Sequence, residues 1–189
     1  MKQALALAIL VGICGPAMAG EDEAIQLKVF VDGMTCPTGC APKVAKSLAS
    51  VQGSKDVKLA DFDAGLFTMA LDAKAPVDID AFKKALGEYK VKKIELTVSG
   101  TMARVKEDVV LTTAAGPKFV LSCVNGCADD KAPAKKDAPT VVAPIAAKID
   151  ALLKENKTSV KVTGQLGGCC EVSIVVATID PLETKKPAN

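Results

Sequence analysis

Cysteine is the residue type in this sequence that could do chemistry. The chain has seven cysteines and no histidine, which excludes a catalytic triad with a histidine base and any imidazole metal site. Six of the cysteines lie in three close pairs: Cys36 and Cys40, Cys123 and Cys127, and Cys169 and Cys170. Thiolates are soft ligands that prefer soft metal ions to hard ones. The pairs therefore indicate either soft-metal binding or disulfide formation.

The first pair has the most specific surroundings. Residues 33–40 read GMTCPTGC and lie between a predicted strand and a predicted helix. Helical spacing after this motif gives one apolar face, formed by Ala41, Val44 and Leu48. Pro42 fits only the first turn of a helix, so Cys40 is predicted at the helix N-terminus. Unpaired N–H groups and the helix dipole favour a thiolate there, and we expect the Cys40 pKa to lie below its ordinary value of ~8.5.

The other two pairs are less specific. Cys123 and Cys127 flank a predicted Asn-Gly turn, which favours a local disulfide and leaves a second soft-metal site as the alternative. Cys169 and Cys170 are adjacent, so on a strand their side chains would point to opposite faces. They are not expected to chelate one ion together, and pairing of one of them with Cys123 or Cys127 stays open.

The elements around the first pair are predicted from the spacing of apolar residues. The pattern over residues 24–99 predicts the order βαββαβ, with a last strand carrying Ile94, Leu96 and Val98. This order predicts an α+β, ferredoxin-like domain whose antiparallel sheet has both helices on one face.

Gly100 is predicted to begin a second domain, over residues 100–182. Its apolar runs indicate two strands, a helix beginning near Pro144 and two further strands. That order predicts a small five-stranded β-barrel of the OB type. Residues 128–139 are rich in Ala, Lys, Asp and Pro and are predicted to form a mobile loop, and residues 183–189 a tail.

Composition and the N-terminal segment set further bounds. The chain has 189 residues, of which 49% are hydrophobic and 24% charged, with a formal net charge of +2. These values exclude a disordered chain and a binder of nucleic acid that depends on strong positive charge. Residues 1–19 have a basic start, an apolar run and the small residues Ala17 and Ala19, which predicts a signal peptide, cleavage before Gly20 and a periplasmic or secreted location. Outside the cytoplasm thiols tend to oxidise, so a disulfide competes with metal at each pair.

The motif at residues 33–40, together with the βαββαβ order, resembles the heavy-metal-associated domain. This family includes copper chaperones, P-type metal pumps and periplasmic mercury-binding proteins, and the resemblance covers residues 25–99. In the family the loop reads Gly-Met-Thr-Cys-x-x-Cys, and the resemblance implies that Cys36 and Cys40 hold one soft ion while Met34 packs beneath the loop. This sequence has one more residue between the cysteines, which implies weaker or less selective binding.

Taken together, these observations predict an exported protein that binds a soft metal ion. The ion is Cu(I) first, with Hg(II), Zn(II) and Cd(II) as alternatives, held by Cys36 and Cys40 for transfer, buffering or resistance. The other interpretation is a two-domain envelope protein, stapled by disulfides, that acts as a structural or interaction module. A dithiol oxidoreductase is less favoured, because it would have a two-residue spacing and a thioredoxin-like order.

The remaining functional predictions follow from what the sequence lacks. It shows no acid/base pair, phosphate loop or nucleophile constellation, so the chain is predicted not to be an enzyme. The partners expected are the metal ion and a protein that donates or accepts it, with no nucleic acid and no membrane span in the mature chain.

Overall fold

The structure, a computed structural model, describes residues 24–122, 143–168 and 172–182. The predicted signal peptide, the loop at residues 128–139, the tail, and the cysteines at positions 123, 127, 169 and 170 lie outside the described residues. The described elements, in chain order, are β1 (Ile25–Asp32), α1 (Cys40–Ala49), β2 (Ser54–Asp61), β3 (Leu66–Leu71), α2 (Ile79–Leu86), β4 (Lys90–Val105), β5 (Asp108–Thr112), β6 (Lys118–Ser122), α3 (Ala143–Lys154), β7 (Ser159–Gly168) and β8 (Val172–Pro181).

The eight described strands form one continuous sheet. Their order is β2-β3-β1-β4-β5-β6-β8-β7, and an additional pairing joins β4 to β7. This pairing closes β4, β5, β6, β8 and β7 into a five-stranded barrel. Strand β4 belongs to both parts of the sheet, because Lys90–Thr97 pair with β1 while Glu95–Thr101 pair with β7.

The predicted fold class, a ferredoxin-like βαββαβ domain followed by a separate OB-like barrel, is wrong. The described part is one eight-stranded sheet with a closed barrel and three short helices. The prediction ended a strand near Val98 and began a new unit at Gly100, whereas β4 continues without a break to Val105. A Cβ at Gly100 would lie 2.6 Å from the carbonyl oxygen of Thr112, so this glycine permits close approach of β5 and is not a linker. Whether residues 24–99 and 100–182 fold independently stays a prediction.

The core on one side of the sheet is closed by α1 and α2. Helix α1 buries Ala41, Val44 and Leu48, the three residues predicted for its apolar face. Helix α2 buries Phe82 and Leu86. Asp78 caps its N-terminus by accepting a hydrogen bond from the Asp80 N–H, and Gly87 caps its C-terminus. A side-chain cap of this kind stabilises a helix by roughly 1 kcal/mol. The two helices also contact each other.

Helix α3 packs on the barrel. Ile149 and Leu152 are buried, and Arg104 and Lys148 form ion pairs with Asp150 and Asp180, respectively. None of the helices in the described residues is long and apolar enough to cross a membrane.

Candidate metal-binding site

The loop between β1 and α1 carries the first cysteine pair. Cys36 lies in this loop and α1 begins at Cys40, so the predicted position of Cys40 at the helix N-terminus is confirmed. The backbone N–H of Cys40 donates to the carbonyl oxygen of Cys36 over 3.2 Å. This hydrogen bond closes one helical turn across the five residues. The turn brings two cysteines that are four positions apart onto the same side of the chain.

The two thiols are in direct contact. The sulfur atoms of Cys36 and Cys40 lie 3.3 Å apart, and both residues are free cysteines and half-buried. A Cβ at Gly39 would lie 3.0 Å from the Cys36 sulfur, so the absence of a side chain there leaves room for this thiol. Pro37, Thr38 and Gly39 are exposed. The pair is therefore open to solvent along its connecting loop.

The pKa of the Cys40 thiol is lowered from 9.0 to about 6. The largest cause is a hydrogen bond from the Thr35 backbone N–H, followed by the hydrogen bond with the Cys36 thiol and then by the Thr35 hydroxyl, whose oxygen lies 3.7 Å from the Cys40 sulfur. The direction of the predicted shift is confirmed. Its main cause is a donor in the loop, whereas the sequence argument relied on the helix terminus.

Tyr89 is a member of the site that the sequence analysis missed. Its pKa is raised, first because its hydroxyl is hydrogen-bonded to Cys40 and second because of burial. Cys40 thus disfavours loss of the phenol proton of Tyr89. The ring is half-buried against the core, and its Cδ1 lies 3.9 Å from where a Cβ of Gly33 would be. Tyr89 is the only tyrosine of the chain, but no local spacing connects it to position 40.

Met34 packs against the core and is half-buried. This agrees with the prediction that it is a packing residue beneath the loop. Within the described ranges, no group of three or more His, Cys, Asp or Glu side chains could hold a metal ion. The site thus offers an incoming ion two protein ligands, Cys36 and Cys40.

Metal binding would require the two sulfurs to separate. With a metal–sulfur bond of about 2.3 Å, two thiolates lie roughly 3.8 Å apart on a tetrahedral ion and roughly 4.6 Å apart on a linear one. The observed separation is 3.3 Å. Rotation of the Cys36 side chain in the exposed loop can supply the difference, whereas Cys40 is held by its hydrogen bonds.

We expect alkylation of Cys40 to report its lowered pKa. Iodoacetamide reacts with the thiolate and not with the thiol, so the rate of Cys40 alkylation should rise with pH as the thiolate forms. In the reduced, metal-free wild-type protein, the midpoint of this rise should lie near the Cys40 pKa of about 6. The Cys36→Ser variant isolates the reaction of Cys40 within this pair. A wild-type midpoint at or above ~8.5, the ordinary value for a thiol, would contradict the assignment.

Comparisons of this chain with protein-family models, with curated proteins and with solved structures give no match. The resemblance to the heavy-metal-associated domain stays a prediction carried by residues 33–40.

Proposed function

We propose that this chain is an exported protein that binds one soft metal ion, Cu(I) first, between Cys36 and Cys40. The observation that carries the proposal is the contact of two free thiols, with their sulfurs 3.3 Å apart, at the start of a helix. Two sulfur ligands from one short loop suit a soft cation. The exported location rests on the predicted signal peptide at residues 1–19.

The number of ligands favours Cu(I) over Zn(II). Structural zinc takes four protein ligands and catalytic zinc takes three, whereas the described part of the chain brings only Cys36 and Cys40 together. Soft thiolate ligands also select Cu(I). A two-ligand site in an exposed loop leaves the ion accessible to a third thiolate from outside.

The hydrogen bonds around Cys40 favour exchange of the ion over permanent storage. The Thr35 N–H and hydroxyl stabilise negative charge on the Cys40 sulfur and lower its pKa. A less basic thiolate binds a metal ion less strongly, so release of the ion costs less free energy. Because Pro37, Thr38 and Gly39 are exposed, the thiols of an acceptor can approach from the loop side. These features support transfer or buffering.

The test is Cu(I) binding by reduced mature protein under anaerobic conditions, in competition with a chromophoric Cu(I) chelator. We expect one tightly held ion per chain, and none in the Cys36→Ser/Cys40→Ser double variant, because that variant lacks both ligands. The matched control replaces the other four cysteines of the mature chain by serine and should keep the ion. If the double variant kept the full stoichiometry and affinity for Cu(I), the proposal would be contradicted.

A further inference from the structure

We infer that the reduced Cys36 and Cys40 pair also carries out thiol–disulfide exchange with small, exposed disulfides. In this reaction Cys40 attacks the substrate disulfide, and Cys36 resolves the mixed disulfide that results. The activity goes beyond the proposed metal binding and does not depend on it, since it uses the two thiols without a metal ion.

The backbone already has the geometry of a disulfide. Two residues four positions apart in one helical turn have their Cα atoms about 6 Å apart. Disulfides span Cα separations of about 4.4–6.8 Å. The hydrogen bond from the Cys40 N–H to the Cys36 carbonyl oxygen, 3.2 Å long, makes this turn. Closing the bond requires the sulfurs to move from 3.3 Å to about 2.05 Å, which side-chain rotation can provide.

This turn removes one of the two grounds on which an oxidoreductase was less favoured, the three residues between the cysteines where dithiol enzymes have two. The other ground, the lack of a thioredoxin-like order, is unchanged, and the inference concerns only the reaction of the thiol pair. In the structure the additional residue is taken up within the turn, and Gly39 leaves room for the Cys36 sulfur. The spacing is therefore compatible with direct sulfur contact.

The surroundings assign the two roles. Cys40 begins α1, and its sulfur lies 3.7 Å from the Thr35 hydroxyl oxygen and 3.3 Å from the Cys36 sulfur. A helix start stabilises negative charge on this sulfur, both when it attacks and when it leaves in the reverse direction. Cys36 lies in the exposed loop, in contact with Cys40 and free to rotate towards it. The residues between the thiols are exposed, which gives a substrate disulfide access.

The reaction balances as follows. The Cys40 thiolate attacks one sulfur of the substrate RSSR, forming a Cys40–SR mixed disulfide and breaking the S–S bond, so that RS⁻ leaves and takes the proton of Cys36. The Cys36 thiolate then attacks the Cys40 sulfur, forming the Cys36–Cys40 disulfide and releasing the second RS⁻, which takes a proton from water. Two electrons pass from the protein to the substrate, giving two RSH.

The experiment uses glutathione disulfide as the probe, with reduced mature protein, an excess of chelator to remove metal ions, and acid quenching before trypsin digestion. Lys28, Lys43, Lys118, Lys131, Lys161 and Lys185 place the three cysteine pairs on separate peptides, at residues 29–43, 119–131 and 162–185. Mass spectrometry therefore follows the Cys36 and Cys40 pair without altering the other cysteines.

In the wild-type chain we expect the 29–43 peptide to acquire an internal disulfide. In Cys36→Ser this peptide should stop at a mixed disulfide between glutathione and Cys40. Cys40→Ser should react at least about tenfold more slowly than Cys36→Ser, because Cys40 begins α1 whereas Cys36 lies in the loop before it. The circular dichroism of both variants shows whether they are folded as in the wild type.

Two results would overturn the inference. One is a wild-type 29–43 peptide that stays reduced while glutathione disulfide is in excess. The other is a Cys40→Ser variant that reacts as fast as Cys36→Ser, which would show that the position of Cys40 at the helix start does not select it as the nucleophile. Neither result affects the Cu(I) test, because metal binding is measured on the reduced pair in the absence of disulfides.

Discussion

Replacing Phe82 with alanine should lower the free energy of unfolding by about 3–5 kcal/mol. Phe82 lies on α2, is 0% exposed and is among the largest fully buried side chains of the core. Alanine removes most of the apolar area that this side chain buries and leaves a cavity between α2 and the sheet. The surrounding core is closely packed, so its side chains are not expected to close this cavity.

Denaturant unfolding with two probes measures this effect and tests the shared strand. Tyr89, with no tryptophan in the chain, is an intrinsic fluorophore beside α2, and far-ultraviolet circular dichroism reports on the whole sheet. Because β4 pairs with both β1 and β7, the two transitions should coincide and shift together. The matched control is Lys84→Ala on the exposed face of α2, which should change stability by less than about 0.5 kcal/mol.

A different pattern would contradict this expectation. If only the fluorescence transition moved in Phe82→Ala and a second, unchanged transition appeared by circular dichroism, the residues before and after Gly100 would unfold independently. That result would support the predicted domain boundary. It would also mean that β4 does not couple the unfolding of the two parts.

The second large effect is on metal affinity. Between about pH 7 and about pH 4, the apparent Cu(I) affinity of the reduced protein should fall at least about a hundredfold, because protons compete with the ion for its thiolate ligands. The pKa of Cys40 is lowered to about 6, so the fall in affinity should become steeper below this pH, where protons compete for both ligands. The measurement is chelator competition at a series of pH values, corrected for protonation of the chelator.

The same pKa fixes the sign of the effect on folding. A thiol whose pKa is lowered in the folded state stabilises that state most at pH values above its pKa in the unfolded chain. This contribution is lost as the pH falls through about 6. In Cys40→Ser the step near this pH should disappear from both the stability profile and the residual metal affinity. An affinity of the wild-type protein that stays constant down to about pH 5 would mean that Cys40 is not a ligand.

The local structure of the site could be predicted from the sequence. Cys40 begins α1, and Ala41, Val44 and Leu48 are buried, because helical spacing and the position of Pro42 are local properties of a few residues. The direction of the Cys40 pKa shift was predicted as well, because it depends on residues close to Cys40 in the chain. The packing of Met34 was implied by the resemblance to the heavy-metal-associated domain.

The tertiary structure decided the rest. Gly100 indicated a boundary in the sequence, but in the structure it lies inside β4, where it lets β5 approach closely. Glycine serves both purposes, and only the neighbouring strand distinguishes them. Strand pairing and the effect of Cys40 on the pKa of Tyr89 connect residues distant in the chain. The spacing of apolar residues shows which face of a helix or strand is apolar, but not which element packs beside it. The continuous sheet and the position of Tyr89 near Cys40 are therefore visible only in the folded chain.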